Sequence, residues 1–328
     1  MYLMILMIAT YIGIFLFGIL LMRIGFENLS MQSIKSIRPN PSIFAGLLMG
    51  FLLTLLLQSS SVSIALLISF YAAYRLSIPF AICFIIGANI GTTLTAQLFV
   101  WNNEHLMIAS LLIGFILLIS QKRNFFFIGS ILFGMGIVFS ALGGLEQLSD
   151  QIPKNSYMAI QNGQIDHPFF LLLFGAAVTA IIQSSTAFTG ILMSFSGGGG
   201  TIPLLDVYYL LLGANIGTCL TVILVGLSHK PKLRIVAYIH VWINVIGSIV
   251  FFHPGIGQVF VQLVTTITNH SGQQIILLAF LYNLALGLLI FTLHKPFARF
   301  LMKLYSHQAN WSTSIKKRRI KDQNRLGQ

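Results

Sequence analysis

The sequence predicts an all-α polytopic membrane protein, and composition is the first observation behind that prediction. Of the 328 residues, 56% are hydrophobic and only 8% are charged, and the mean hydropathy is +0.87. Soluble domains carry about 25% charged residues, so a fold surrounded by water on all sides is excluded. The other two observations are long windows without charge and a polar motif that occurs twice.

The windows without charge predict single membrane spans. A helix needs about 20 apolar residues to cross about 30 Å of hydrocarbon. The windows near that length are 1–22, 80–100, 105–121, 125–145, 207–227, 235–252 and 274–294. The stretch 253–272 contains histidine, proline, asparagine and several glycines, so we expect a loop there with an interfacial stretch.

Two longer windows, 39–74 and 167–205, each have a polar cluster at the middle and predict helical hairpins. The clusters are Gln58, Ser59, Ser60 and Ser61 in the first and Gln183, Ser184, Ser185 and Thr186 in the second. Each hairpin either crosses the bilayer twice or enters and returns from the same side. In both cases the chain leaves on the side where it entered, so the orientation of the other spans is unaffected.

The basic residues predict the orientation. With the N-terminus outside, every Lys and Arg except Lys154 lies on the inner side, as the positive-inside rule requires. The acidic residues that fall outside are Glu104, Glu146, Asp150, Asp166 and Asp206. The net charge of +12 therefore indicates orientation in a cell membrane rather than nucleic-acid binding, with 295–328 as a basic cytoplasmic tail.

The chain also resembles itself at a shift of about 116 to 126 residues. The matching elements are 13–18 with 129–134, Gly50, Thr54 and Gln58 with Gly175, Thr179 and Gln183, and the Gly-Ala-Asn-Ile-Gly-Thr blocks 87–92 and 213–218. Three spans separate equivalent points, so the second copy should be inverted, as in many secondary transporters. The predicted organisation is repeat 1 at 1–121, inverted repeat 2 at 122–252, a loop and last span at 253–294, and the tail.

The hairpin clusters have the chemistry of an ion site. A half-helix that begins inside the membrane exposes backbone N–H groups and the positive end of its dipole, which suit an anion. Free carbonyl groups with Ser and Thr oxygens suit a hard cation such as Na⁺. Arg75, just after the first hairpin, either reaches an anion from the inner side or is an ordinary positive-inside anchor.

The glycine pairs around Asn89 and Asn215 predict interruptions of two spans, with each asparagine bridging freed backbone. Alternatives stay open: glycine pairs also pack helices closely, and membrane Ser and Thr hydroxyls commonly bond a carbonyl one turn back. His240 and Asn244 lie one turn apart, where an interior hydrogen bond is more common than a ligand role. No predicted span contains an acidic residue, which favours Na⁺ over a proton relay and argues against an intramembrane enzyme.

With both clusters and both blocks in place, the sequence resembles the type II sodium-dependent phosphate cotransporter family over about residues 8–294. The resemblance implies a compact bacterial member, because the loop 146–166 is short and lacks the cysteines of animal relatives. A PhoU-like regulatory domain, present in many bacterial relatives, is not expected here.

The resemblance also implies residue roles. The residues expected to bind phosphate are Gln58, Ser59, Ser60, Ser61, Gln183, Ser184, Ser185, Thr186 and Arg75. Those expected to bind sodium are Ser60, Ser61, Ser185, Thr186, Asn89, Thr92, Asn215 and Thr218. Supporting roles fall to Thr54, Thr179, His240 and Asn244.

We therefore expect a secondary active symporter, not an enzyme, that imports inorganic phosphate with Na⁺ by alternating access. Its partners are expected to be phosphate, Na⁺ as the coupling ion and the lipid bilayer, without an organic cofactor, a transition metal or nucleic acid. Two alternatives stay open: a Na⁺-coupled transporter of another oxyanion or small carboxylate, and a phosphate-binding membrane sensor or scaffold that does not transport. The sequence leaves a monomer and a homodimer equally open.

Overall fold

The computed structural model describes residues 2–35, 38–74, 76–101, 103–151, 168–197 and 202–305, and within these ranges it contains helices but no strands. The first helices are α1 (Tyr2–Lys35), α2 (Ile43–Leu57), α3 (Ser60–Tyr74), α4 (Ile78–Thr95), a 3₁₀ helix (Ala96–Trp101), α5 (Glu104–Leu118) and α6 (Arg123–Asp150). They are followed by α7 (Pro168–Ile182), α8 (Ser185–Gly197), α9 (Leu204–Gly217), α10 (Cys219–Leu227), α11 (Arg234–Phe251), α12 (Pro254–Ile267), α13 (Ser271–Thr292) and α14 (294–305).

Six helical segments in the described residues are long and apolar enough to cross a membrane. They are Tyr2–Ser30, Ile78–Trp101, Arg123–Asp150, Leu204–Leu227, Arg234–Phe251 and Ser271–Thr292. These segments confirm six of the predicted single spans. The remaining predicted span, 105–121, corresponds to α5, a shorter apolar helix of 15 residues that by itself covers about 22 Å of a hydrocarbon layer about 30 Å thick, so its crossing stays a prediction.

The two predicted hairpins are helix pairs that turn at their polar clusters. In α2 and α3 each helix has 15 residues, and α7 and α8 have 15 and 13. Each helix therefore covers only about 20–22 Å, which is too short to cross the hydrocarbon core. Of the two alternatives, the lengths favour hairpins that enter and return from the same side.

Close helix packing at glycine brings each hairpin against a span. A methyl group on Gly50 of α2 would overlap the Phe84 carbonyl of α4, and one on Gly87 would overlap the Leu47 carbonyl. The equivalent positions of the second half repeat both contacts between α7 and α9. There the overlaps are of Gly175 with the Leu210 carbonyl and of Gly213 with the Leu172 carbonyl.

The long helices α1 and α6 pack on each other through two glycines that are equivalent in the internal repeat. A methyl group on Gly18 would lie 2.8 Å from the Gly134 carbonyl oxygen, and one on Gly134 would lie 2.7 Å from that of Gly18. Because such distances are shorter than van der Waals contact, only glycine permits this approach of the backbones.

The second helix of each hairpin contacts the other half of the chain. The helix α3 packs on α10, which follows the second Gly-Ala-Asn-Ile-Gly-Thr block, and α8 packs on the 3₁₀ helix, which follows the first block. The last long helix, α13, packs on α4, α8, α9 and the 3₁₀ helix. Polar residues from different parts of the sequence are thereby brought together at the centre.

Two sequence predictions need correction. The block 87–92 does not interrupt its span, because α4 continues through it, whereas the span of the second block does break: α9 ends at Gly217 and α10 begins at Cys219, on either side of Thr218, the last residue of the block. The glycines of both blocks pack against a carbonyl of the neighbouring helix. The predicted loop 253–272 contains α12, which Pro254 begins and His253 caps through a 3.1 Å bond from the Gly255 N–H to Nδ1.

The predicted tail is also partly helical. Within the segment 295–328, residues up to 305 belong to α14. Tyr305 stacks on Tyr238 of α11 with ring centroids 4.6 Å apart and accepts a 3.0 Å hydrogen bond from Trp242 Nε1. These contacts fix the first part of the segment against α11, and residues 306–328 lie outside the described residues.

We expect Gly213→Ala to destabilise the protein, because its methyl group would overlap the Leu172 backbone carbonyl. Overpacking against backbone costs about 1–3 kcal/mol or more, so the thermal denaturation midpoint in detergent should fall. The matched control is Gly143→Ala in α6, where a methyl group meets nothing within 4 Å and the midpoint should hold or rise. Equal midpoints for the two variants would contradict the packing role.

Candidate functional site

Both hairpins turn at a glutamine in the left-handed backbone region. Gln58 has φ 52° and Gln183 has φ 59°, and among the described residues these are the non-glycine positions with positive φ. Such a conformation costs about 1–3 kcal/mol for a residue with a side chain and is concentrated at functional sites. The same strained turn thus occurs at the equivalent point of both hairpins, at the two glutamines that we expected to bind phosphate.

The serines that follow the two glutamines act as helix caps. Ser59 Oγ accepts a hydrogen bond of 3.3 Å from the Val62 N–H, and Ser184 Oγ accepts one of 3.2 Å from the Ala187 N–H. These serine oxygens, which we expected to bind phosphate, are therefore already hydrogen-bonded. The N–H groups at the start of α3 and α8 that precede the capped ones have no acceptor within the helix, so they remain donors for an anion.

The two hairpin tips differ in burial. Ser59 and Ser60 are buried, Gln58 is half-buried, and Gln183 is exposed at the protein surface. The first tip is thus covered by neighbouring helices more fully than the second. Arg75, which we expected near the anion, lies outside the described residues.

Thr54 and Thr179 lie one turn before the glutamines and are fully buried, and their hydroxyls have no hydrogen-bond partner. Each packs on the second glycine of a block: a methyl group on Gly91 would lie 3.1 Å from Thr54 Cβ, and one on Gly217 would lie 2.8 Å from Thr179 Cβ. Their supporting role therefore includes holding each hairpin against its span.

A buried hydrogen-bond network joins the two asparagine blocks through α11. Asn89 Nδ2 donates to Asn244 Oδ1 at 2.8 Å. Asn244 Nδ2 in turn donates to the Asn215 carbonyl oxygen and to His240 Nε2, both at 2.9 Å. His240 and Asn244 thus form the interior hydrogen bond that the sequence favoured, and the same bond set connects α4, α9 and α11.

A small cavity lies where the two halves meet. It is lined by Thr92 and Thr93 of α4, Ser185, Thr186 and Thr189 of α8, Asn215 of α9 and Asn283 of α13, together with Ala96, Leu211, Ala214 and Ala279. Beside it, the hydroxyl oxygens of Thr95 and Thr186 are 3.2 Å apart and form a hydrogen bond between the halves. The cavity brings together four residues that we expected to bind sodium, namely Thr92, Ser185, Thr186 and Asn215.

The cavity does not include Ser60, Ser61, Asn89 or Thr218, which we also expected to bind sodium. Asn89 is bound to Asn244, and Thr218 Oγ1 donates to the Asn215 carbonyl at 2.8 Å. Sequence reasoning missed Thr189 and Asn283. Asn283 could have been noticed as a polar residue in an otherwise apolar span, whereas nothing distinguishes Thr189 from a packing residue.

A second, larger cavity of about 390 Å³ lies further along α8. Its lining includes Glu146, Met193, Ser194, His270 and Gly272, from the ends of α6 and α8 and the start of α13. Groups of three or more His, Cys, Asp or Glu side chains that could hold a metal ion do not occur within the described ranges. The oxygen-bearing side chains that line the small cavity are amides and hydroxyls.

The sequence profile of Na⁺/Pi cotransporters matches residues 14–147 and 150–292. The chain belongs to this family. It is therefore a member of a transporter family rather than an enzyme family, and with its six apolar segments it is a multi-pass membrane protein.

Individual relatives agree with this assignment. YqeW of Bacillus subtilis is 30% identical over 254 residues, covering 77% of this chain and 81% of YqeW. YjbB of Escherichia coli K12, named for inorganic phosphate export, is 22% identical over 300 residues, covering 91% of this chain and 54% of YjbB. The sodium-dependent phosphate transport protein 2B of Bos taurus is 34% identical over 110 residues, covering 32% of this chain and 16% of that protein.

This chain thus spans about half the length of YjbB, with 54% of that protein covered, and a smaller part of the animal cotransporters. No solved structure matches the chain.

We expect Gln183→Gly to separate the role of the glutamine side chain from that of the turn. Glycine adopts positive φ freely, so the hairpin should be retained, with a denaturation midpoint no lower than that of the wild type. Phosphate uptake should nevertheless be lost together with the side-chain amide. Gln183→Ala should also lose uptake without loss of folded protein, because alanine keeps the same Cβ at this φ, and full uptake in both variants would show that the amide is not needed.

We expect Asn244→Leu to lower the denaturation midpoint, because it leaves the Asn89 amide and His240 Nε2 without partners. The cost of such unsatisfied groups is about 1–3 kcal/mol. In the double variant Asn89→Leu/Asn244→Leu the loss should be smaller than the sum of the two single losses. Additive losses would mean that the two asparagines are not coupled.

Proposed function

We propose that this protein is a secondary active symporter that imports inorganic phosphate with Na⁺ by alternating access. The observation that supports it most is the pair of hairpins, each turning at a left-handed glutamine and each starting a helix with free N–H donors inside the apolar layer. Membership of the Na⁺/Pi-cotransporter family supplies the identity of the two ions.

Inverted repeats are part of this proposal, with boundaries at 1–121 and 122–252. Support comes from contacts that recur at equivalent positions, such as Gly87 with Leu47 and Gly213 with Leu172. Gly18 and Gly134 occupy the same position in the two repeats and contact each other. Equivalent residues contact each other where a two-fold axis passes between their helices. Repeats related in this way place the substrate near the middle of the membrane.

Phosphate is proposed to bind at the hairpin tips. The donors there are the Gln58 and Gln183 amides, the N–H groups at the start of α3 and α8, among them that of Thr186, and the hydroxyl hydrogens of Ser59, Ser60, Ser61, Ser184 and Ser185. Such donors and the positive helix end stabilise an oxyanion without a buried basic side chain. Arg75 is proposed to attract phosphate on the inner side.

Na⁺ is proposed to bind to oxygens of the hydroxyl and asparagine residues at the centre. Among the residues expected from the sequence, Thr92, Ser185, Thr186 and Asn215 share the small cavity. Ser60, Ser61, Asn89 and Thr218 are their equivalents in the internal repeat. With neutral ligands, bound phosphate would be the nearest negative charge, so binding of the two ions should be coupled.

We place the N-terminus outside and the basic C-terminal segment in the cytoplasm, on the distribution of Lys and Arg between the loops. In that orientation the cavity of about 390 Å³ near Glu146 and His270 is on the outer side and supports access from there. A tenfold Na⁺ gradient supplies about 1.4 kcal/mol per ion, and 100 mV supplies about 2.3 kcal/mol per charge. Two or three Na⁺ ions are therefore enough to concentrate a divalent anion.

Phosphate export is the second candidate, because YjbB is named for export. A symporter coupled to Na⁺ entry carries both ions inward, so export would require that the outward phosphate gradient, rather than Na⁺, drives the cycle. The direction is thus decided by whether transport follows the Na⁺ gradient.

The test is uptake of radiolabelled phosphate into proteoliposomes of the purified protein. We expect accumulation under an inward Na⁺ gradient and none under a matched K⁺ gradient, because Na⁺ is the coupling ion. Competition by arsenate, sulfate and dicarboxylates then defines the solute. Phosphate efflux that is independent of Na⁺ would favour export, and phosphate binding without uptake would favour a sensor.

A further inference from the structure

Apart from Ser185, the hydroxyl groups that line the small central cavity present oxygen lone pairs rather than hydrogens. Thr92 Oγ1 donates its hydrogen to the Ala88 carbonyl and Thr189 Oγ1 to the Ser185 carbonyl, both at 2.9 Å. Thr95 donates to the Thr92 carbonyl at 2.7 Å, so in its bond with Thr186 the hydrogen comes from Thr186. A hydroxyl whose hydrogen is used elsewhere can only accept or coordinate on its free side.

The two asparagines at the cavity are arranged in the same way. Asn215 Nδ2 donates to the Leu211 carbonyl at 2.9 Å, and Asn283 Nδ2 donates to the Ala279 carbonyl at 3.0 Å. The opposite amide orientation would set two oxygens against each other, so these bonds leave Oδ1 as the free atom of each side chain. A wall of acceptors complements a cation and repels an anion.

The strongest indication that the cavity binds a ligand comes from Asn283. Its side chain is 4% exposed, and its Oδ1 atom has no hydrogen-bond partner among the described residues. A buried amide oxygen without a partner costs about 1–3 kcal/mol, so its presence beside six other oxygen-bearing side chains requires an explanation. A bound cation supplies it.

The size and composition of the cavity select the class of cation. Its volume is about 20 Å³, enough for roughly one water-sized occupant and too small for a tetrahedral oxyanion. Its lining contains no carboxylate, whereas sites for divalent cations normally include carboxylates. A small monovalent hard cation such as Na⁺ fits both conditions.

We propose that Asn283 Oδ1, from the last long helix, is a ligand of a Na⁺ site whose other ligands are Thr92, Thr186, Thr189 and Asn215. This inference deepens the proposed function and rests on it for the identity of the ion. Asn283 is a ligand from outside both repeats, since α13 has no counterpart in the first half. Ligands from α4, α8, α9 and α13 make the site depend on contact between the halves.

The equivalent region of the first half does not offer the same oxygens. Ile64 occupies the position that corresponds to Thr189, and Asn89, which corresponds to Asn215, is bound to Asn244. The cavity at Asn283 is therefore a feature of one half only, in spite of the repeat.

The experiment measures the denaturation midpoint of purified protein in detergent, without phosphate, as NaCl replaces KCl at constant ionic strength. A ligand that binds the folded state raises the midpoint as its concentration exceeds the dissociation constant. We expect Na⁺ to raise the midpoint of the wild type. The near-isosteric Asn283→Leu should raise the half-saturating Na⁺ concentration by about tenfold or more, since it loses one oxygen ligand.

Two further variants keep the test informative. Asn283→Asp retains an oxygen at the same position, so it should keep the Na⁺ response even if Asn283→Leu folds poorly. Asn28→Leu is the matched control, because Asn28 Nδ2 makes the same bond to a carbonyl one turn back, at 2.8 Å from Ile24 O, but does not line the cavity. Its half-saturating Na⁺ concentration should equal that of the wild type.

The inference is overturned if Asn283→Leu keeps the wild-type half-saturation, or if the wild type shows no response to Na⁺. Failure of the proposed function appears differently. If the wild type responds to Na⁺ through Asn283 but takes up no phosphate, the Na⁺ site is supported and the symporter function is contradicted. If uptake is driven by Na⁺ but Asn283→Leu keeps the wild-type half-saturation, the symporter function is supported and the Na⁺ site is contradicted.

Discussion

The fold depends on the contact of glycine backbones between each hairpin and its neighbouring span. At Gly50 and Gly87, and again at Gly175 and Gly213, a single methyl group would overlap a carbonyl of the facing helix. In lipid, helices gain little from the hydrophobic effect on association, so such close packing is a main source of their attraction. It also sets the depth of each hairpin turn, and hence the place where Gln183 and its counterpart end a helix.

A second constraint is the supply of partners for polar groups that water cannot reach. Most hydroxyls and amides near the centre donate to a carbonyl of their own helix, as Thr92 does to Ala88. That local bond uses the side-chain hydrogen and leaves the lone pairs of the side-chain oxygen free. The side chains that line the small central cavity are thereby polar and uncharged, and the same bonds that stabilise the helices determine which ion can be held between them.

The sequence predicted the spans and both hairpin turns well, because charge-free windows and a polar cluster in hydrocarbon have few structural explanations. It failed where one residue pattern serves two purposes. The glycines around Asn89 are spaced for a break and for close packing alike, and only the position of α2 decides between them. A lone asparagine such as Asn283 is equally ambiguous, since its neighbours come from distant parts of the chain. In 253–272 the glycines concealed a helix that Pro254 begins.

The bonds of Asn244 have a mechanical consequence. They tie α4 and α9, the equivalent helices of the two halves, to α11 through Asn89 and the Asn215 carbonyl, at a position buried from solvent. A rearrangement that separates α4 from α9 must break at least one of these bonds, so we expect the three helices to form a rigid frame in the proposed transport cycle. The movement then falls to the elements around the frame. The hydrogen bond between Thr95 and Thr186, at the edge of α8, can break and re-form during such movement.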